Sequence, residues 1–401
     1  MMTRLFALST LLVLSAPCLA SDVESPERLV QANNKFTMEL YRKVKGGESN
    51  LFLSPYGISS TLTIMHAGAQ GDTARGIAEA LRFDGIPQPE TRVPEYAKTI
   101  QQGLGAIQRR GDGQFAMIHS LWAHKAYRID EDFMFRMKSS YTVEANSADF
   151  AGANEDARKK MNAWVDTKTR GRIKDLVKSG AINDRTRLVL ANAVWFKAKW
   201  EHEFFKRLTV KQDFDTGSGK KVQVDLMTQA MSAGYATNDE VEVLQLAYKG
   251  GSISMIVVVP KKAGDLAKVE DKLSPAVLND WMKLLKPTSI TLSFPRFRFS
   301  SEFDVTDTLR GMGMKDAFDS AKADFSRMNK APEKLFISTV MHKACVDVDE
   351  EGTEASAAAE APAAGAEPPP VRVDRSFLFL VRENKYGSIL FIGRVVDPSK
   401  R

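Results

Sequence analysis

VDEEGTEASAAAEAPAAGAEPPPVRVD, residues 348–374, has the composition of a tether in a place where a tether is structurally odd. Between Ala355 and Ala366 eight of the twelve residues are alanine, and three prolines, Pro368 to Pro370, follow. The flanking chain is strongly apolar. Before it, Val340, His342, Ala344, Val346 and Val348 alternate with Met341, Lys343, Cys345, Asp347 and Asp349, the period-two pattern of a strand with one buried face. After it, FLFLV (377–381) and SILFIGRVV (388–396) flank RENKYG (382–387) and predict a buried hairpin.

The stretch itself also alternates. From Thr353 the odd positions are Thr353, Ala355, Ala357, Ala359, Ala361 and Ala363, and the even ones are Glu354, Ser356, Ala358, Glu360, Pro362 and Ala364. One face is small and nearly apolar while the other carries the charges, as a half-buried strand requires. Alanine is a poor strand former, so the segment would not nucleate a sheet alone. It is narrow enough to enter between two existing strands, where larger side chains would risk overpacking at roughly 1–3 kcal/mol each. The pattern describes two states, an exposed loop and an inserted strand.

The whole 401-residue chain is 43% apolar and 26% charged, which excludes wholesale disorder. Its length allows two or three domains or one large one. Residues 1–20 read as an export signal: Arg4 is the positive end, Leu5 to Ala16 the apolar run, and Cys18-Leu19-Ala20 a cleavage site before Ser21. The run is too short to span a bilayer, so the expected location is secreted or periplasmic. Pro17 makes Cys18 a poor site for lipid attachment. Cys345 is then the remaining cysteine, so no internal disulfide forms, and its spacing makes it a small buried hydrophobe in a strand.

The formal charge of +6 includes Arg4. Basic clusters at Arg109-Arg110, Lys159-Lys160, Lys168-Arg170-Arg172-Lys174 and Lys220-Lys221 could meet a polyanion weakly. Acidic residues are interspersed and no nucleic-acid motif accompanies them, which favours solvated surface.

Ser54-Pro55 before Ile58, Leu62 and Met65 predicts a capped helix, Asp72 opens another through Leu81, and Ala157, Met161, Trp164 and Val165 form a third apolar stripe. LVLANAVWF (188–196), GSISMIVVVP (251–260) and SITLSFPRFRF (289–299) read as strands covered on both faces, with Pro295 a bulge or edge. Helices dominate the first half and strands the second, an α+β distribution.

Catalytic motifs fail. DTGSGKK (215–221) lacks phosphate-loop spacing. Asp347, Asp349, Glu351 and Gly352 start like a calcium loop, but its twelfth position is Ala358. The histidines, His66, His119, His124, His202 and His342, have neither metal-ligand spacing nor a Gly-x-Ser-x-Gly elbow nearby. No catalytic residue, metal or cofactor is expected. His342 sits on the apolar face of its strand, where lacking a partner would cost about 1–3 kcal/mol, so a partner is expected.

The chain resembles the serpin family. EEGTEASAAAE (350–360) is similar to the hinge of an inhibitory serpin's reactive-centre loop, and DRSFLFLV (374–381) and SILFIGRVVDP (388–398) to the family's C-terminal signature and final strands. NLFLSP (50–55), MNAWVDTKTRGRI (161–173) and ANAVWFKAKWEHEF (191–204) match three further segments. The resemblance implies an α+β fold of three sheets and about nine helices in one domain over 21–401, monomeric, with its loop at about 350–371. It also implies a suicide-substrate inhibitor of serine proteases, in which the cut loop inserts into the large sheet and traps the acyl-enzyme. This family is the general example of that strand-addition switch.

By resemblance, the hinge comprises Glu350, Gly352, Thr353, Glu354, Ala355 and Ala357. Ser54, Asn192 and His342 form a central shutter that gives His342 its partner, Trp200 marks the breach above it, and Arg296 pairs with Glu350. Gly57 stands where the family has a second shutter serine. Counting from Gly352 puts the reactive bond at Ala366–Glu367, counting back from Val371 puts it at Gly365–Ala366, and Ala364 is a third candidate. All are small residues, so the expected target is an elastase- or subtilisin-like protease. The alternative is a non-inhibitory binding protein whose loop is only a protease substrate, because Pro362 removes one donor from the strand-to-be.

Overall fold

The computed structural model describes residues 26–109, 113–330, 334–351 and 368–400. In chain order its helices are α1 (Pro26–Val44), α2 (Pro55–Gly68), α3 (Gly71–Ala80), α4 (Pro89–Arg109), α5 (Glu131–Lys138), α6 (Asn154–Lys168), α7 (Leu266–Lys272), α8 (Pro275–Leu284) and α9 (Thr306–Gly311). The strands are β1 (Leu51–Leu53), β2 (Gly113–His124), β3 (Val143–Ala148), β4 (Leu188–Ala198), β5 (Val210–Asp215), β6 (Lys221–Thr237), β7 (Val241–Ala247), β8 (Ile253–Pro260), β9 (Lys286–Pro295), β10 (Phe297–Asp304), β11 (Ile337–Val348), β12 (Pro370–Arg372), β13 (Phe377–Glu383) and β14 (Ile389–Val395). This is the α+β arrangement expected from the sequence.

Local chemistry sets the elements that matter most. Ser54 caps α2, its Oγ accepting from the Gly57 amide at 3.1 Å, and Pro55 occupies the first turn. Twelve of the fourteen residues of α2 are buried, as suits a helix wedged between layers. In α6, Ala157, Met161 and Val165 are buried, while Trp164 is half-buried and donates from Nε1 to Glu144 at 2.9 Å. One expectation is corrected. SITLSFPRFRF is not a single strand with a bulge: Pro295 ends β9, the Arg296 amide donates to the Asp225 carbonyl at 2.9 Å, and β10 starts at Phe297 in a different sheet.

A five-stranded sheet has the order β10-β11-β4-β2-β3. A larger network runs β1-β14-β13-β8-β7-β6-β9-β12, with β5 beside β6. The long β6 pairs first with β5, then with β9, and from Gly234 with β7, so it joins the two smaller of the three expected sheets. Phe196 of β4 lies 5.0 Å from Phe391 of β14, so the core runs between the five-stranded sheet and the network. On the sheet's other face α6 and the linker behind it set Met161, Val165, Ile173 and Val177 against Ala191, Trp195 and Cys345. β4 thus buries both faces, which explains its unbroken apolar run.

Candidate functional site

β4 and β11 pair in parallel from Ile337↔Leu188 to Val346↔Phe196, with no strand between them. Their outer neighbours, β2 and β10, pair with them antiparallel. The chain leaves β11 at Val348, so any segment folding straight back into this seam would run antiparallel to both strands. It would replace one parallel ladder by two antiparallel ones, the slightly stronger pairing.

The middle of the seam is closed by one hydrogen-bonded chain. The Ser54 amide donates to His342 Nε2 at 3.1 Å, which leaves the His342 proton on Nδ1, 2.6 Å from Asn192 Oδ1. Asn192 Nδ2 lies 2.9 Å from His119 Nδ1 and 3.3 Å from the Ile118 carbonyl, and Thr61 Oγ1 is 2.9 Å from the same His119 nitrogen. Ser54 Oγ donates to the Leu390 carbonyl at 3.0 Å. The chain ties α2 and the start of β14 to β11, β4 and β2, and its members are at most 1% exposed. Burial pushes the His119 pKa down to about 4, and burial with the neighbouring His119 pushes His342 down to about 3.

Gly57 leaves space for this arrangement. A Cβ there would lie 2.8 Å from Asn192 Oδ1 and 3.1 Å from Ser54 Oγ. Thr61 and His119, neither assigned a role from the sequence, extend the network. The signal for His119 was available: it alternates with buried Met117 and Leu121, as His342 does with Val340 and Ala344.

Above the seam, residues 347–351 are held in place. Trp200 Nε1 donates to the Asp349 carbonyl at 3.0 Å, with its ring stacked on Tyr248 at 4.5 Å. The Phe204 amide donates to the Glu350 carbonyl at 2.9 Å. Arg296 reaches Glu350 only at 3.9 Å, and the closer contact is Thr209 Oγ1, which donates at 2.8 Å. Lys197 at the end of β4 sits 2.6 Å from Asp349 and 3.8 Å from Asp347, bridging the top of the seam, and Lys206 pairs with Glu351.

His66, His124 and His202 lie away from the seam: His66 packs edge-on against Phe83, His124 is 3.7 Å from Asp149, and His202 is exposed. Among the described residues no three His, Cys, Asp or Glu side chains cluster to hold a metal, and no helix is long and apolar enough to cross a membrane. The export signal, Cys18, Gly352, Thr353, Glu354, Ala355, Ala357, Pro362, Ala364, Gly365, Ala366 and Glu367 lie outside the described residues.

The profile of the family described as Serpin (serine protease inhibitor) matches residues 31–398. The chain belongs to the serpin family. This serpin is 35% identical over 389 residues to human serpin B3, covering 92% of this chain and 99% of that protein. It is 33% identical over 387 residues to the human leukocyte elastase inhibitor, covering 93% and 100%. Uncleaved ovalbumin superposes with a TM-score of 0.84 at 27% identity, covering 92% of the serpin and all of ovalbumin.

Proposed function

We propose that this serpin is an exported, monomeric, single-domain suicide-substrate inhibitor of serine proteases that cleave after small residues. The observation that carries the reading is the β4/β11 seam: two parallel strands in direct contact, locked at mid-height by the Ser54–His342–Asn192–His119 chain, with the loop leaving from their upper end. A protease that attacks the loop forms an acyl-enzyme. The freed loop end then adds to the sheet antiparallel to both neighbours, and the attached protease travels with it before water releases it.

Pro362 is compatible with this insertion. The seam spans β11 positions 337–346, about 33 Å at the strand rise. A strand entering with Thr353 beside Val346 reaches Pro362 beside Ile337, where a register shift already interrupts the ladder. The missing amide then removes one bond at the last rung rather than splitting the strand. The small residues at Ala364, Gly365 and Ala366 suit a shallow specificity pocket, and the name of the leukocyte elastase inhibitor supports an elastase-type target.

Incubation with an elastase-type protease tests the proposal. A covalent complex that survives SDS is expected, and mass measurement of the released fragment locates the bond. Clean loop cleavage with continued protease turnover would contradict inhibition and favour the reading of the loop as bait on a binding protein.

A further inference from the structure

A cavity of about 570 Å³ opens between the α6–β4 linker and strands β10 and β11 of the five-stranded sheet. The linker contributes Arg172, Lys174 and Lys178, β10 contributes Arg298, and β11 contributes Lys343, against a single lining carboxylate, Asp175. Outside the lining, Glu302 pairs with Lys343 at 3.1 Å and with Lys178 at 3.2 Å, and Asp347 lies 4.0 Å from Arg298. Among the described residues, Arg172 and Lys174 pair with no carboxylate. Arg172 is held in place, its guanidinium 4.8 Å over the Trp195 ring. Trp195, opposite Cys345 across the seam, buries an indole Nε1 that has no hydrogen-bond partner among the described residues. Cys345, which is buried, also lines the cavity.

We infer that this cavity binds a compact multivalent oxyanion, a short polyphosphate or a densely sulfated sugar. The volume lies within the range of small-molecule sites. Five converging cations, two of them without carboxylate partners, supply the charge, and arginine forks suit phosphate and sulfate oxygens. The site also has a mechanical consequence, which rests on the inhibitory reading above. Lys343 Nζ already donates to the Lys174 carbonyl at 2.8 Å, tying the linker to β11. An anion shared by Arg172, Lys174, Arg298 and Lys343 multiplies that tie across the strand that must separate from β4. Occupancy therefore stabilises the uninserted state and slows insertion.

The test is titration of the intact, uncleaved serpin with tripolyphosphate in one arm and sucrose octasulfate in the other, followed by calorimetry. The expected result is saturable one-site binding in at least one arm, weakening as salt is raised, with a rise in melting temperature and slower alkylation of Cys345 mapped by mass. The arm that binds more tightly identifies the phosphate or sulfate source. Arg172→Gln and Lys174→Gln should each weaken binding about tenfold or more, whereas the paired control Lys220→Gln with Lys221→Gln leaves it unchanged. Absence of saturable binding in both arms, or equal weakening by the control, overturns the site. Because binding is read without any protease, its failure is separable from failure of inhibition. Unchanged complex formation at saturating anion would overturn the regulatory consequence alone.

Discussion

At the scale of single residues, the seam depends on two neutral histidines and one missing Cβ. His342 accepts from the Ser54 amide, so a proton on Nε2 would break that bond, and both histidines have pKa values displaced below their ordinary value of 6.5. The unfolded chain therefore takes up protons first as pH falls. Their contribution to stability is complete above about pH 6.5 and is lost progressively towards the folded values of about 4 and 3. A melting-temperature profile should show this acid limb, and His119→Asn should flatten its upper part; an unchanged limb would show that His119 does not titrate in it. Gly57→Ala forces a Cβ against Asn192 Oδ1 and should destabilise the uncleaved protein by about 1–3 kcal/mol, read as a lower melting temperature. A wild-type value would mean that Asn192 gives way freely. The sequence predicted that His342 needs a partner, because its strand period placed it inside. It could not supply the partner's neighbours: His119 meets Asn192 only through the pairing of β2 with β4, 73 residues apart.

At the scale of elements, the period-two pattern was sufficient to find β11, unbroken apolar runs to find β4 and the β13/β14 hairpin, and the Ser-Pro pair to start α2. Which strands touch was not legible, because an apolar strand fits between many neighbours. Pro295 illustrates the difficulty, since a missing amide reads equally as a bulge or as the boundary that the structure shows. Lys197, assigned no role from the sequence, has a side chain only 15% exposed and bridges the upper ends of β4 and β11. Lys197→Met should lower the melting temperature of the uncleaved protein by the equivalent of roughly 1–3 kcal/mol and accelerate insertion. Stopped-flow complex formation checks this, and an unchanged rate would place the barrier elsewhere. Thr353→Arg should do the reverse, delaying entry of the first hinge residue so that cleavage outruns trapping. Undiminished inhibition by that variant would refute the hinge assignment.

At the scale of the whole molecule, β4 and β11 pair directly, so a strand entering between them would have to part them. The Thr/Ala face of residues 353–363 suggested a strand in reserve, but no reading of that segment alone could locate the seam it would enter. That seam joins β4 and β11, nearly 150 residues apart in sequence and neighbours in the five-stranded sheet. The most direct measurement is the melting temperature of the intact protein beside that of the protein cut once in its loop near Ala366. Insertion adds a second antiparallel ladder of about ten residues at roughly 0.5–1.5 kcal/mol per bond, so the cut form is predicted to melt about 10 °C or more higher. A cut form that melts at the same temperature or lower would contradict insertion into the β4/β11 seam.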